Sequence, residues 1–400
     1  MTNKTPRILV FSSLYPSQVR PNAGLFIRER MRHVAEQCDL VVVSPVPWFP
    51  FQSLIRFWKP EYRPRPSSFE EQNGLNVYFP VFLSIPGIGR SLDGFLMALS
   101  TLPLLYKLKK KFAFNLIDAH FAYPDGYAAS WLGGWLKVPV TITLRGTEIP
   151  LSKIPARKKR LLKALERADK VFSVSASLKR HVVELGAEEK KIEVVGNGID
   201  IDKFFAIDKA TARLHLNLDQ KSKVLISVGG LVDRKGFHRV IEVLPDLLKM
   251  HPNLIYLIVG GANPEGNILV RLENQAKTLG LSNNVQFLGA IESGYLHVPL
   301  SAADVFVLAT ANEGWANVFL EAMACGLPVV TTDVGGNTEV VSDPKLGTIV
   351  PFGNPDALKD AIDNALNYDW NRQMIIDYAA ENTWNKRISH LIAAFNKLVN

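Results

Sequence analysis

Short apolar runs alternate with amphipathic segments along the whole chain. Ile8–Phe11 is the first run; a loop then leads to an amphipathic segment near Ile27–Gln37, and Leu40–Val43 reads as the next strand. Leu116–Asp118, Val140–Leu144 and Val171–Val174 repeat the pattern, with a helix at Leu161–Ala168 between the last two. A second series opens at Val224–Val228 and continues with a helix near His238–Lys249, a strand at Leu254–Val259 and a helix near Leu269–Leu279. The runs Val285–Leu288, Asp304–Leu308 and Val329–Thr331 complete it. Strands and helices in strict alternation are the rhythm of a doubly wound parallel sheet. The turn signal Gly196-Asn197-Gly198-Ile199-Asp200 separates the two series. The pattern predicts an α/β protein of two Rossmann-like domains facing each other across a cleft, with residues 1–200 in the first and residues 201–375 in the second. Ligands in such sheets bind at the carboxyl ends of the strands.

Composition narrows this picture without changing it. A chain of 400 residues accommodates two cores of ~200 residues each. Hydrophobic residues at 47% and charged residues at 21% are those of a globular protein in water. The two cysteines, Cys38 and Cys325, suggest neither a disulfide scaffold nor a metal site, which favours a reducing compartment. Cys325, beside Gly326 at a helix end, reads as a packed thiol. Arg7 leads straight into Ile8–Phe11, too short for a signal sequence, and the apolar stretch Phe95–Tyr106 falls short of the roughly 20 residues that span a bilayer. The expected location is cytoplasmic, with peripheral attachment to the inner face of the membrane as a candidate. The net charge of +8 calls for an anionic partner; nucleotide, lipid surface and nucleic acid all qualify, and no nucleic-acid motif is present. Basic stretches at Lys107–Lys111 and Lys153–Lys163 are either solvated faces or contacts to anionic lipid. The proline-rich loop Pro45–Pro66 interleaves Trp48, Phe49, Phe51, Phe57, Trp58 and Tyr62 with Arg56, Lys59, Arg63 and Arg65, and so favours the lipid.

The most specific chemistry lies in Glu313-Gly314-Trp315-Ala316-Asn317-Val318-Phe319-Leu320-Glu321, between two apolar runs. The natural reading is a strand, a loop carrying Glu313, a short helix carrying Glu321 with Gly326 as its stop, then another strand. A helix N-terminus holds an anion, and carboxylates accept hydrogen bonds from neutral hydroxyls. A nucleotide-sugar presents both, as a diphosphate and a set of sugar hydroxyls. A second motif, Gly229-Gly230-Leu231-Val232-Asp233-Arg234-Lys235-Gly236, directly follows the Val224–Val228 strand. Arginine and lysine there neutralise the charge of a departing nucleoside diphosphate without a metal. No G-x-G-x-x-G occurs, which argues against a nicotinamide dehydrogenase.

The segment from Glu313 through Val341, with Glu321-Ala322-Met323-Ala324-Cys325-Gly326-Leu327-Pro328 and Gly335-Gly336-Asn337-Thr338-Glu339-Val340-Val341, resembles the donor-binding region of family-four retaining glycosyltransferases of the GT-B fold. The resemblance covers essentially the whole chain. It implies that Glu313 contacts the transferred sugar, that Glu321 binds ribose hydroxyls, and that backbone N–H groups of Gly314, Trp315, Ala316, Asn317 and Val318 meet the sugar and phosphates. It gives Lys235 the leaving phosphates, with Gly229 and Gly230 in the same loop. Many relatives carry an arginine where this chain has Gly230, and Arg234 is the candidate substitute. Leu288, in Phe287-Leu288-Gly289, is placed against the base through its backbone. Gly24, in the loop Pro16–Gly24, allows close approach to the donor phosphates. The tryptophan-bearing segment around Trp384 implies a final helix, residues 376–400, returning to the first domain.

On the acceptor side the candidates are His120 in Asp118-Ala119-His120, and Arg145 and Glu148 in Arg145-Gly146-Thr147-Glu148, where relatives commonly show His-Gly-Thr-Asp. The resemblance implies a metal-independent transferase that uses no cofactor. Its co-substrate is a UDP- or GDP-linked sugar, its acceptor a saccharide or lipid-linked hydroxyl, and its setting the building of bacterial cell-surface polysaccharide or glycolipid. Two other readings stand beside it: a nucleotide-sugar epimerase of the same fold, and a non-catalytic anion-binding module. The two-glutamate loop favours the transferase.

Overall fold

The computed structural model describes residues 5–58, 62–85, 91–263 and 265–400. The chain forms two compact units. The first comprises the described residues up to Gly196 together with Arg387–Asn400, and the second comprises Asn197–Lys386.

The first unit runs β1 Arg7–Phe11, α1 Leu25–Ala35, β2 Asp39–Val43, β3 Val46–Trp48, α2 Gln52–Ile55, β4 Phe69–Gln72, β5 Leu75–Tyr78, β6 Val81–Leu83, α3 Asp93–Lys111, β7 Leu116–His120, α4 Tyr127–Leu136, β8 Val140–Leu144, α5 Glu148–Ser152, α6 Pro155–Arg167, β9 Lys170–Ser173, α7 Ala176–Glu184 and β10 Ile192–Val194. Eight strands form one sheet in the order β10-β9-β8-β7-β1-β2-β5-β4, parallel except for the β4–β5 pair. β7, β8 and most of β1 are buried, as helices on both faces of a sheet require. The β4–β5 hairpin turns at Asn73-Gly74, both at positive φ. That dipeptide is the strongest short-range hairpin signal. β3 and β6 form a separate parallel pair, so the stretch read as the loop Pro45–Pro66 holds a strand and the short helix α2. Its Lys59 lies outside the described residues.

The second unit runs α8 Lys209–His215, β11 Lys223–Val228, α9 Phe237–Met250, β12 Leu254–Val259, α10 Leu269–Thr278, β13 Val285–Gly289, α11 His297–Ala302, β14 Val305–Leu308, α12 Asn317–Ala324, β15 Val329–Thr332, α13 Asn337–Val340, β16 Gly347–Val350, α14 Pro355–Asn367 and α15 Arg372–Glu381, and the chain ends with α16 Trp384–Val399. Its six parallel strands lie in the order β13-β12-β11-β14-β15-β16, the doubly wound order in which the crevice between the first and fourth strands is the ligand position. Successive β11 residues serve opposite cores. Val224, Ile226 and Val228 pack with Phe306, Phe319 and Met323, whereas Leu225 packs with Phe237, Ile241 and Leu358.

The returning helix, expected over 376–400, is two helices. α15 stays with the second unit, and only Arg387–Asn400 of α16 joins the first. Phe395, fully buried on α16, meets Phe172 of β9 edge-on at 6.0 Å. Trp384, at the start of α16, is buried, and its backbone lies where a side chain at Gly198 would stand. Among the described residues, no helix is long and apolar enough to cross a membrane.

Candidate functional site

Arg234, Lys235, Thr310 and Glu313 of the second unit meet at the crevice between β11 and β14. The loop after β11 carries Arg234 and Lys235, and the loop after β14 carries Thr310 and Glu313. The Lys235 ammonium donates to Glu313 Oε1 at 2.7 Å, Arg234 Nη1 donates to the same oxygen at 3.2 Å, and Thr310 Oγ1 donates to it at 3.1 Å. Glu313 is buried. Two cations thus share one buried carboxylate at a strand end, in charge-assisted hydrogen bonds.

The backbone fixes these side chains. Ala311 N donates to Arg234 O at 2.7 Å, tying the two loops together. Gly336 N donates to Glu313 O at 3.3 Å, and Gly335 sits at φ +54 with its α-carbon against the same carbonyl, so a side chain there would overlap Glu313 O. Gly335 therefore lets the 335–336 turn lie flat against the Glu313 loop.

Glu321 lies inside α12, one turn beyond its first residue, Asn317, which accepts from Asn197 Nδ2 at 2.8 Å. The backbone of Trp315 and Ala316 approaches the helix start, and Val318 packs against the core. Gly326 ends α12 at φ +76. Leu288 is the penultimate residue of β13, partly buried against the same core. Gly229 lies beside the Lys235 methylenes, and a side chain at Gly230 would meet Asn263. Cys325 is buried, and burial pushes its thiol up to about 12, in keeping with packing.

One residue of this site carried no sequence signal. Glu265 grips Arg234 bidentately, with Oε2 to Nε at 2.8 Å and Oε1 to Nη2 at 2.9 Å, and the arginine holds its carboxyl below the usual range. Thr310 is the second addition. Its hydroxyl faces Arg234 O at 3.0 Å as well as Glu313.

Gly24, His120, Arg145 and Glu148 belong to the first unit. Gly24 caps α1 at φ +71, close against Leu14 O. His120 ends β7 fully buried, and Arg145 Nη2 donates to its Nδ1 at 3.0 Å. Burial, then the Arg145 and Arg30 charges, push this imidazole well below its usual range, so it is neutral at pH 7. Glu148 is wholly buried, and its carboxylate accepts from Ala122 N at 3.0 Å, Arg145 N at 3.2 Å and Gly146 N at 2.8 Å. Such a carboxylate holds two loops in register and has little left to offer a ligand.

Two further groups were not foreseen. Arg30 of α1 is fully buried, and its three guanidinium nitrogens have no hydrogen-bond partner among the described residues; burial pushes it down to about 10, against the pull of Asp118. Ile27, Arg30, Met31 and Val34 form the buried stripe of α1, so a cation on an apolar helical face was the available signal.

Asp125 is the other. It reaches across the ends of β7 and β1 to take the backbone N–H and the hydroxyl of Ser13, the latter at 3.0 Å. Burial raises its carboxyl to about 7, with the Ser13 bonds opposing the rise. The folded form keeps this proton where the unfolded chain has lost it, so this group's contribution to stability falls as pH rises from roughly 4 to 7. Asp125→Asn is expected to flatten the dependence of melting temperature on pH in that window. Parallel profiles for the two proteins would refute the assignment.

Among the described residues, no group of three or more His, Cys, Asp and Glu side chains converges as a metal site would.

The family described as Glycosyl transferases group 1 matches residues 208–383, and Glycosyltransferase Family 4 matches residues 60–203. The chain is 27% identical, over 82% of each sequence, to the putative teichuronic acid biosynthesis glycosyltransferase TuaC of Bacillus subtilis. It is 31% identical to the GDP-mannose-dependent alpha-(1-6)-phosphatidylinositol monomannoside mannosyltransferase of Mycolicibacterium smegmatis, over 57% of this chain and 60% of that one. It is 33% identical to the D-inositol 3-phosphate glycosyltransferase of Corynebacterium urealyticum, over 54% of each. In these last two pairs the match spans little more than half of the relative. Among solved structures, sucrose-phosphate synthase from Thermosynechococcus elongatus superposes with a TM-score of 0.76 at 20% identity over 99% of each chain. HepE of Anabaena in complex with UDP gives 0.74 at 19% identity, over 98% of this chain and 100% of that one. At these identities the likeness shows the fold, which is GT-B.

Proposed function

The chain belongs to the glycosyltransferases, group 1 in its second unit and Family 4 in its first, and we propose that it moves a sugar from a nucleotide-sugar onto an acceptor hydroxyl. The observation that carries this reading is the convergence of Lys235 and Arg234 on Glu313 at the β11–β14 crevice. A nucleoside diphosphate brings more negative charge than one carboxylate, so it draws both cations and frees Glu313 to turn to the sugar. As the bond from the sugar to the diphosphate breaks, its electrons pass to the leaving phosphate oxygen. Lys235 and Arg234 stabilise that charge, and the α12 N-terminus adds its dipole. Glu313 orients the sugar, Glu321 takes the ribose hydroxyls, and the backbone of Leu288 faces the base. In this reading the reaction needs no metal, retains the anomeric configuration, and uses the leaving phosphate to help deprotonate the acceptor.

The first unit takes the acceptor, with Arg145 and neutral His120 at the strand ends. TuaC, by its name, serves teichuronic acid synthesis and the M. smegmatis relative a phosphatidylinositol mannoside. Both support a saccharide or lipid-linked acceptor in cell-surface polysaccharide or glycolipid synthesis. HepE structures with UDP and UDP-glucose support a nucleotide-sugar donor.

A melting panel with UDP, GDP, ADP and their sugar conjugates tests the donor. One nucleoside diphosphate at about 100 times its Kd raises stability by roughly 2.7 kcal/mol, a shift of several degrees. No response to any of them would remove the basis of the reading.

A further inference from the structure

The first unit carries a hook that is built inside out. Among the described residues between β3 and β4, Gln52, Arg56 and Arg63 turn their polar groups onto the backbone. Arg56 donates from Nε to Tyr62 O at 3.2 Å and from Nη2 to Arg63 O at 2.7 Å. Arg63 Nη1 donates to Ser84 O at 2.8 Å, and its guanidinium lies over the Phe49 and Tyr62 rings at 5.8 Å from each. Gln52 is buried, with its amide on Arg63 O. With the arginines spent on carbonyls, the large apolar side chains are left outside: Phe51 at 80%, Leu54 at 51%, Phe57 at 79% and Trp58 at 80% exposure. At the base, on the β3–β6 pair, Trp48 and Leu83 are register partners, and both are exposed. Water selects the opposite arrangement, so a loop that invests its hydrogen bonds in presenting aromatics is shaped for another phase.

We infer that this hook inserts into the interfacial layer of an anionic lipid bilayer. Exposed tryptophan and phenylalanine in a segment rich in arginine suit the headgroup boundary, where an aromatic ring is half in hydrocarbon. The stretch Pro45–Pro66 carries Arg56, Lys59, Arg63 and Arg65 against one acid, Glu61, and Arg65 is exposed. That charge complements a negative bilayer and adds to the insertion. The attachment is separate from sugar transfer and is read without any sugar present.

Flotation of the full chain with phosphatidylcholine vesicles, and with equimolar phosphatidylcholine and phosphatidylglycerol, tests it. The protein is expected to float with the anionic vesicles and less so at high salt. Phe57→Ser with Trp58→Ser is expected to lower partitioning about tenfold or more while leaving the melting temperature unchanged, since both side chains are exposed. Brominated acyl chains are expected to quench wild-type emission, and the conservative Trp58→Phe to bind equally but with weaker quenching. Three outcomes would overturn the inference. One is no flotation of the wild type. Another is wild-type flotation of the double variant, which would put the contact elsewhere. The last is a concentration-dependent dimer that the double variant abolishes in a protein indifferent to vesicles, which would make the hook a contact between copies.

Discussion

Lys235→Ala is expected to lower kcat/KM for sugar transfer by about 100- to 1,000-fold, the cost of losing one charged group aimed at the developing anion. The loss should fall on kcat, because the charge is greatest after the bond to the diphosphate has begun to break. Glu313→Ala is expected to fall as far for a different reason. In the proposed reaction it removes the group that orients the sugar, yet it also frees Lys235 and Arg234 from their resting partner at 2.7 and 3.2 Å. Nucleoside diphosphate should therefore bind the Glu313 variant at least as tightly as wild type while transfer collapses. That opposed pair of effects separates a site residue from a merely structural one. A folded Lys235 variant that turns over near the wild-type rate, or a Glu313 variant that loses both nucleotide affinity and melting temperature, would sink the assignment.

The second large effect is on stability. Asp118 is buried in the middle of β7, accepts from Thr141 Oγ1 at 2.6 Å, and supplies the negative field at Arg30. Asp118→Ala leaves a buried guanidinium without its counter-charge and is expected to cost about 3–5 kcal/mol, read as a lowered urea midpoint at unchanged slope. Arg30→Met keeps the length and apolar stem of the side chain and removes the charge. Its cost is expected to be near zero or favourable, and combined with Asp118→Ala it should recover much of the loss. A cost below about 1 kcal/mol for Asp118→Ala would mean that the pair is not coupled in this way.

The strands were legible because parallel sheets bury both faces, so Val224–Val228, Leu254–Val259 and Val329–Thr331 stand out as unbroken apolar runs. Those runs lie within β11, β12 and β15. Arg234, Lys235 and Glu313 were legible through motifs on either side of a crevice that the strand order then brings together. Glu265 was not, since its role depends on meeting Arg234 across 31 residues in a turn whose composition says only that the chain bends there. Asp125 and Arg30 escaped for a related reason. A single charged letter within an apolar stretch does not reveal whether it faces a partner, and their partners lie 112 and 88 residues away. Glu148 was visible as a site letter, but a carboxylate consumed by three amides reads the same in sequence as one left open to a ligand.

Gly230 has a bearing on how this chain can change. A side chain at 230 would push on the Asn263 amide, Asn263 Oδ1 holds Glu265 N at 2.8 Å, and the Glu265 carboxylate holds Arg234. Positions 230 and 234 are thus linked by a relay of two residues that belong to neither motif. A side chain placed at 230 would therefore disturb the anchor that holds Arg234. Substitutions at 230 and 234 are therefore expected to be non-additive, coupled through Asn263 and Glu265.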